Sequence, residues 1–308
     1  MSKNSVKYAA VISLGMLCCI SASHAEDASA PKLALSDQAP AVSDEKGEPE
    51  HGKINTLDAS PVDPGHFEIE SSYSYTQSKH FRDNAGDVHY RGLAREQTLG
   101  LSVTVGVIEN VDMAVSSSYR WLKDNENDFD KDDGVFGPET GHGLGDLNIS
   151  GRYRFFESKE HGLSLAYIGG FTLPTGNSSS VKEIGTSQEF WSFNQALVAT
   201  KDWGKWTANV DVRYALPFGD KRENARGTLN SDIAVGYQVL PWLQPEVELN
   251  YSRNFLTNDN DQEVIATTVG LVMPINERIR LNTGVQQGLW GRNTDKATSL
   301  YAAVKLAF

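Results

Sequence analysis

The sequence predicts an all-β fold, an antiparallel transmembrane β-barrel of about 12 strands. After Pro64, apolar and polar residues alternate along a series of segments, with the period of a β-strand. The connections between these segments are alternately short and long. The mean hydropathy is only −0.40, as expected when every second residue of a membrane strand faces lipid. The same average excludes a bundle of membrane helices, because each would need about 20 consecutive apolar residues.

Residues 1–25 have the organisation of a secretory signal peptide. Lys3 and Lys7 precede a short apolar run, and Ala25 stands at a plausible cleavage point. An uncleaved anchor is the alternative, but the run is short for a membrane span. A lipoprotein signal fits less well, because a bulky residue precedes Cys18. Cleavage would remove both cysteines, so the mature chain would depend on burial or a closed sheet rather than on disulfides.

Residues 26–60 contain eight acidic residues and three lysines, with little periodicity. This composition favours a flexible acidic periplasmic segment, and a small plug folded into a lumen is the second interpretation. The barrel would then comprise residues 61–308. The whole chain has 28 basic and 40 acidic residues, a formal charge of −12, which argues against nucleic-acid binding.

Alternation of apolar and polar residues marks each predicted strand in turn. The sixth segment is the least regular, and the last ends on an aromatic residue. The segments are 67–75, 99–107, 111–121, 147–155, 163–173, 191–199, 206–214, 229–239, 247–251, 265–273, 279–285 and 300–308.

The links between these strands favour an outer-membrane barrel, which has short periplasmic turns, longer outer loops and an even strand number. A secreted β-sandwich also alternates, but it does not require strict succession of short and long links. Short links are expected at 109–110, 157–162, 201–205, 240–242 and 276–278, and longer ones at 78–94, 123–144, 174–188, 217–228, 256–263 and 291–298.

The tryptophans are placed as in two interfacial girdles. Three lie beside short links and three beside long ones, which a soluble core would not require. The terminal Phe308 is expected to be read by the outer-membrane assembly machinery. The tryptophans are Trp203, Trp206 and Trp242 at short links, and Trp121, Trp191 and Trp290 at long ones.

Two segments resemble recurring motifs of the outer-membrane channel family associated with the meta-pathway of phenol degradation. They are GLGDL at 143–147, followed by RYRF at 152–155, and LPTG at 173–176. The resemblance implies an outer-membrane channel or transporter for aromatic or other small hydrophobic compounds. Physically, Gly143 and Gly145 would allow a sharp turn from a loop into a strand, and the Pro and Gly of the second motif would end a strand.

If the apolar rows face lipid, the opposite rows line the lumen. A charged lumen can hold water and select solutes by field and width, whereas a plugged lumen with mutually paired charges is the alternative. Asp146 is expected to point inward, where arginines could pair with it. The lumen candidates are Arg120, Asp146, Arg152, Arg154, Asp211, Arg213, Glu246, Glu248 and Arg280.

Part of the link 123–144 resembles a calcium loop. Asp128, Asp130, Asp132 and Glu139 occupy its first, third, fifth and twelfth positions. Asp133 stands where such a loop requires glycine, so a solvated acidic loop remains the alternative.

The sequence as a whole predicts an outer-membrane channel for passive uptake in a Gram-negative bacterium. Its expected partners are outer-membrane lipid, a small solute and the assembly machinery, and its oligomeric state is left open. A phospholipase-like barrel enzyme and a purely structural surface barrel are the alternatives. No strand combines an outward histidine with a neighbouring outward serine, and no cofactor is expected.

Overall fold

The computed structural model describes residues 53–126, 139–180, 183–222, 224–257 and 260–308. Their regular structure consists of β-strands and one 3-10 turn, Asp220–Arg222. Within these ranges no helix is long and apolar enough to span a membrane. The strands are β1 (Phe67–Arg82), β2 (Val88–Ile108), β3 (Val111–Glu126), β4 (Glu139–Leu144), β5 (Leu147–Ser158), β6 (Leu163–Leu173), β7 (Trp191–Trp203), β8 (Trp206–Phe218), β9 (Ala225–Tyr237), β10 (Gln244–Leu256), β11 (Gln262–Asn276), β12 (Ile279–Arg292) and β13 (Thr294–Ala307).

The strands form one closed antiparallel barrel. β1 pairs with β2 on one side and with β13 on the other, and β2 also pairs with β3, so the sheet closes on itself, with one side of β4 left without a strand neighbour. β4 and β5 both pair with β3, one after the other, and together they fill a single position in the wall. The thirteen strands therefore occupy twelve positions, which confirms the predicted 12-strand barrel.

The two faces of the wall have opposite chemistry. Apolar side chains such as Leu197, Val247 and Val269 point outward, with exposures of 54–60%. All six tryptophans are also exposed, between 41% and 51%, and they lie toward the two ends of the barrel as predicted. Inward side chains are largely polar and buried. This inversion of a soluble core is typical of a membrane barrel.

Two of the predicted long links are mostly strand. β1 and β2 are separated only by 83–87, and β12 and β13 only by Asn293, so the expected loops at 78–94 and 291–298 are wrong. Strand pairing continues beyond the lipid-facing rows, where both faces are polar and the apolar alternation disappears. The link 123–144 is shortened in the same way, and 127–138 lies outside the described residues.

The β1–β2 tip is closed by Asp83. Its carboxylate accepts hydrogen bonds from the N–H groups of Ala85 and Asp87 at 2.9 and 3.0 Å and contacts His89 Nε2 at 2.9 Å. The His89 contact, together with these backbone N–H groups, holds the pKa of the Asp83 carboxyl below its ordinary value. The carboxylate therefore stays charged and keeps the tip compact.

Candidate functional site

A short stretch of chain before β1 crosses the lumen. Residues 53–62, here called the strap, run along the inner wall from β3 to β12. The wall residues that hold it include Asp112, Thr200 and Glu246, each within four residues of a strand end at a short link. The strap therefore lies in the half of the barrel nearest the short links and the chain end at Phe308.

Wall side chains satisfy the backbone of the strap. The Glu248 carboxylate accepts hydrogen bonds from the N–H groups of Ile54, Asn55 and Thr56 at 3.0–3.2 Å. The Leu57 N–H donates to Asp211 Oδ2 at 2.8 Å. Since the strap has no strand neighbour, these acceptors replace the ladder that a buried backbone requires.

Further along, two more N–H groups of the strap donate to wall oxygens. Ala59 donates to Thr200 Oγ1 at 2.9 Å, and Val62 donates to Asp112 Oδ2 at 3.0 Å. Backbone groups of the strap are thus paired with side chains of strands on several sides of the barrel.

Two ion pairs fix the ends of the strap. Lys53 Nζ lies 3.0 Å from Glu246 Oε2, and both side chains are fully buried. Arg152 contacts Asp58 Oδ1 at 2.9 Å and Asp112 Oδ2 at 3.4 Å, and it also donates to the Ser60 carbonyl at 2.5 Å. A buried charge that loses its partner is strongly destabilising, so the wall and the strap depend on each other.

The strap also covers an apolar patch of the inner wall. Ala59 packs with Ala166, Ala196 and Val198, and Leu57 lies against the same cluster. Alanine and valine are unusual on the inner face of a water-filled channel, and here they provide a dry contact for the strap.

Glycines let the strap lie close to the wall. A Cβ on Gly106 would lie 2.0 Å from the Asp63 carbonyl oxygen, and one on Gly270 would lie 2.2 Å from Ile54 Cδ1. Such distances are far shorter than van der Waals contact. Any larger residue at these positions would push the strap or the wall aside.

Five of the predicted lumen residues meet at the strap or beside it. Arg213 bridges Asp211, at 2.7 Å, and Asp232. With Arg152, Glu246 and Glu248, these residues were expected to line the lumen, and the structure places them against the strap or next to its acceptors.

The other predicted lumen residues lie elsewhere. Arg120 pairs with Glu96 at 2.8 Å and donates to the Thr186 carbonyl, and Arg154 pairs with Glu157 at 3.1 Å near a short link. Arg280 is half-buried on β12, opposite Lys305 of β13.

The sequence suggested that Asp146 pairs with arginines, but it does not. Its carboxylate accepts hydrogen bonds from the N–H groups of Gly176, at 3.0 Å, and Gln188, at 2.7 Å. The reason is that Asp146 lies in the break between β4 and β5, beside the segment 174–190. Gly143 also differs from expectation, since it lies within β4 at a φ of 151° rather than in a loop.

The barrel wall is interrupted at this break. β6 ends at Leu173 and β7 begins at Trp191, so β4 has a strand neighbour only on its β3 side. Residues 183–190 lie along the gap, with hydrogen bonds from Ile184 N to the Thr140 carbonyl and from Thr186 Oγ1 to the Leu144 carbonyl.

A cavity of about 370 Å³ lies where this segment meets the ends of β7 and β8. Five of its ten lining residues are polar or charged, three are aromatic, and the others are a proline and a glycine. Among the lining residues are Pro174, Phe190, Trp191, Phe218 and Lys221.

The predicted calcium ligands are not assembled in the described structure. Asp128, Asp130 and Asp132 lie outside the described residues, and Glu139 is an exposed residue at the start of β4. Across the ranges that the structure covers, there is no group of three or more His, Cys, Asp or Glu residues suited to a metal ion.

Several residues of the lumen were missed by the sequence analysis. Lys53 and Asp58 lie in the aperiodic segment 26–60, whose composition favoured a flexible tail over a plug. Arg91, which is buried between Asp295 and Asp124, lies in a predicted loop. Strict alternation upstream of Leu99 would place Arg91 on the outward face with Arg95, and the register shift in the β1–β2 pairing, which alternation does not report, is what turns Arg91 inward.

Comparison with known proteins agrees with this architecture. Among solved structures, the COG4313 outer membrane channel from Pseudomonas putida F1 matches with a TM-score of 0.68 at 14% identity, covering 83% of this chain and 100% of that chain. The beta domain of the Bordetella autotransporter Brka gives 0.48 at 11%, covering 80% and 100%. The NalP translocator domain from Neisseria meningitidis gives 0.47 at 10%, covering 80% and 90%. No curated protein matches the sequence.

The first of these likenesses shows that the fold is that of an outer-membrane channel barrel. A family model described as "Putative MetA-pathway of phenol degradation" matches residues 60–306, which is nearly the whole barrel and the end of the strap. The chain therefore belongs to this family, as the motifs at 143–147 and 173–176 indicated.

Proposed function

We propose that this protein resides in the Gram-negative outer membrane and mediates the passive uptake of small compounds, with aromatic or other hydrophobic compounds as its substrate class. The observation that carries the proposal is the interrupted wall beside an aromatic-lined cavity. Trp191 and Phe218 are exposed on the outer face, where a solute held by lipid can reach them, and the route inward from there passes residues 174–180 and 183–190.

The closed lumen supports this substrate class. Glu246, Glu248 and Asp211 are at most 1% exposed under the strap, so the path along the barrel axis is shut to water at that level. A polar solute would have to displace a strap held by six backbone hydrogen bonds to wall side chains. A hydrophobic solute entering through the wall would reach the lumen above the strap.

A test of the route needs intact cells, because lipopolysaccharide keeps hydrophobic probes out of the outer leaflet. Uptake of the fluorescent probe N-phenyl-1-naphthylamine should rise when the protein is present. The change F190A/W191A should lower this uptake severalfold, whereas Trp203→Ala, at the other girdle, should leave it unchanged. Uptake equal to that of cells lacking the protein would refute the proposal.

A strap that is covalently fixed to the wall distinguishes passage along the barrel axis from entry through the wall. Gly284 lies beside Ile54, since a Cβ there would be 3.0 Å from Ile54 Cδ1 and 3.4 Å from Ile54 Cγ2, so the cysteines of I54C/G284C would be neighbours that oxidation can cross-link. Oxidation should leave uptake of the hydrophobic probe unchanged and should abolish any liposome swelling with arabinose. Loss of both on oxidation, with recovery after reduction, would place the route past the strap and contradict entry through the wall. A lipid-hydrolysis assay on the same preparation tests the enzymatic alternative.

A further inference from the structure

Two cations face each other on the outer surface of the barrel. Arg95 of β2 lies directly opposite Lys123 of β3 in the antiparallel register, and both are exposed. Directly opposed residues have Cβ atoms about 4.5–5.5 Å apart, and like charges in such a pair repel each other. Within the part of the chain that the structure describes, neither side chain has a carboxylate partner.

The carboxylates near this pair are engaged on the other face of the wall. Glu96, next to Arg95, binds Arg120 at 2.8 Å. Asp124, next to Lys123, binds Arg91. The two outward cations are therefore not neutralised by their sequence neighbours.

The outward cations of the opposite wall are arranged differently. Arg253 pairs with Asp261 at 2.9 Å, and Arg292 pairs with Glu263. Partial burial alone would raise the pKa of Asp261, but the Leu256 N–H and the Arg253 guanidinium hold it below its ordinary value. These two arginines thus have charged protein partners, and the Arg95–Lys123 pair does not.

The height of the pair on the barrel matches the headgroup layer. Trp121, whose side chain is 41% exposed, lies ten residues along β3 from Val111. With a rise of about 3.3 Å per residue and a tilt of about 40°, this span is about 25 Å, the height of the apolar band of such barrels. Lys123 is two residues farther from the short-link end, just beyond the aromatic girdle.

Residues of β1 and β4 that are in register with the pair extend it into a row of polar side chains, and the next row toward the short-link end is partly aromatic. Gln77 and Thr140 flank the pair in register, both exposed, and each can donate a hydrogen bond. The row below contains Tyr75, Trp121 and His142. A phosphate between the two cations would therefore have further donors beside it and aromatic rings at the level of its lipid chains.

We propose that Arg95 and Lys123 form a binding site for a phosphate group of lipid A in the outer leaflet. Two charge-assisted contacts to one phosphate offset the repulsion between the cations. The site is independent of the proposed transport function, since it lies on the outer face of β2 and β3, away from the strap and the cavity.

Native mass spectrometry of the purified full-length barrel in detergent can test this site. Bisphosphorylated lipid A should be retained at least about tenfold more strongly than dephosphorylated lipid A. The double change R95Q/K123Q should remove this preference. The matched change R253Q/R292Q, at cations that already have carboxylate partners, should keep it.

Three results would overturn the proposal. One is a preference that survives in R95Q/K123Q, and another is an equal loss in R253Q/R292Q. The third is displacement of lipid A by millimolar inorganic phosphate, which would indicate a site for the free anion. Heat-dependent migration of each variant in gels shows that it is folded, and the swapped pair R95K/K123R should retain the preference.

Discussion

Glu248 is the residue on which the strap most depends. One fully buried carboxylate accepts the N–H groups of three successive residues, Ile54 to Thr56. Hydrogen bonds to a charged acceptor contribute about 1.5–3 kcal/mol each at most, and an unsatisfied buried donor has a comparable cost. A group with two oxygens and no proton is needed, because all its partners on the strap are donors.

The change Glu248→Gln should therefore release the strap. The amide has one acceptor oxygen, and its NH2 group would face N–H donors. We expect amide exchange of residues 54–57 to accelerate by at least about tenfold, corresponding to about 1.4 kcal/mol. Hydrogen exchange measured by mass spectrometry on the refolded barrel would show it, and the exposed Glu160→Gln should leave these amides unchanged. Unchanged protection in E248Q would contradict the assigned role.

The inward position of Glu246, Glu248 and Arg152 could be predicted, because strand period alone assigns a side chain to a face. Their partners could not. Lys53 and Asp58 lie in a segment without periodicity, and nothing in its composition states which wall groups its N–H groups will reach. The pairing between the strap and the wall arises from the three-dimensional closure of the barrel, which brings β3, β8 and β10 around the strap.

At the scale of elements, the break between β4 and β5 depends on Asp146. Its two N–H contacts tie both ends of the segment 174–190 to the wall. The expected salt bridge with arginines failed because alternation assigned Asp146 to the inward row of the strand beginning at 147, whereas Asp146 lies between two strands and serves a neighbouring link.

The change Asp146→Ala should loosen the segment that covers the gap. It removes both acceptors and leaves the Gly176 and Gln188 N–H groups without these partners. We expect faster proteolytic cleavage between 174 and 190 in the folded barrel, and a severalfold change in uptake of the hydrophobic probe. The change Asp87→Ala, at an exposed position in the β1–β2 link, serves as the control. Equal cleavage in the two variants would show that Asp146 does not hold the segment.

The strap is an element that closes the lumen without being part of the sheet. Deletion of 53–62 should leave a folded barrel, because each strand keeps its neighbours. It would uncover five carboxylates against two cations, Arg152 and Arg213; the carboxylates are those of Asp112, Asp211, Asp232, Glu246 and Glu248. We expect a severalfold larger single-channel conductance with a preference for cations, measured from the reversal potential in planar bilayers. Deletion of 26–50, which spares the strap, should not change conductance, and a silent 53–62 deletion would count against a strap-closed pore.

For the whole molecule, strand number and order were predictable because one rule, alternation, applies to every lipid-facing row. The distance by which the strands extend beyond the membrane could not be predicted, because β1, β2, β12 and β13 continue where both faces are polar. The same limit hid Arg91 and its partner Asp295. The alternation of apolar and polar residues in a barrel strand reports contact with lipid, whereas the length of the strand is determined by its backbone hydrogen bonding.

Closure of the barrel joins the start of β1 to the residue that follows β13. Phe67 and Phe308 exchange backbone hydrogen bonds at 2.9 and 3.2 Å, and their rings stack at 4.7 Å with 9° between planes. An aromatic pair of this kind contributes about 0.5–1.5 kcal/mol beyond its buried area. Its loss would therefore weaken the seam between β1 and β13 only modestly, since thirteen register pairs join these strands.

We propose that the assembly machinery recognises Phe308, which predicts that its loss has a much larger effect in cells than in vitro. The change Phe308→Ala should lower the free energy of unfolding of the refolded barrel by about 1–3 kcal/mol, measured by urea titration. In cells it should reduce the amount of folded protein in the outer membrane severalfold. Phe67→Ala removes the same ring stack but leaves the terminal aromatic residue intact. If recognition of Phe308 matters, Phe67→Ala should match Phe308→Ala in vitro and assemble far better in cells, whereas equal defects in both settings would reduce the role of Phe308 to the ring stack alone.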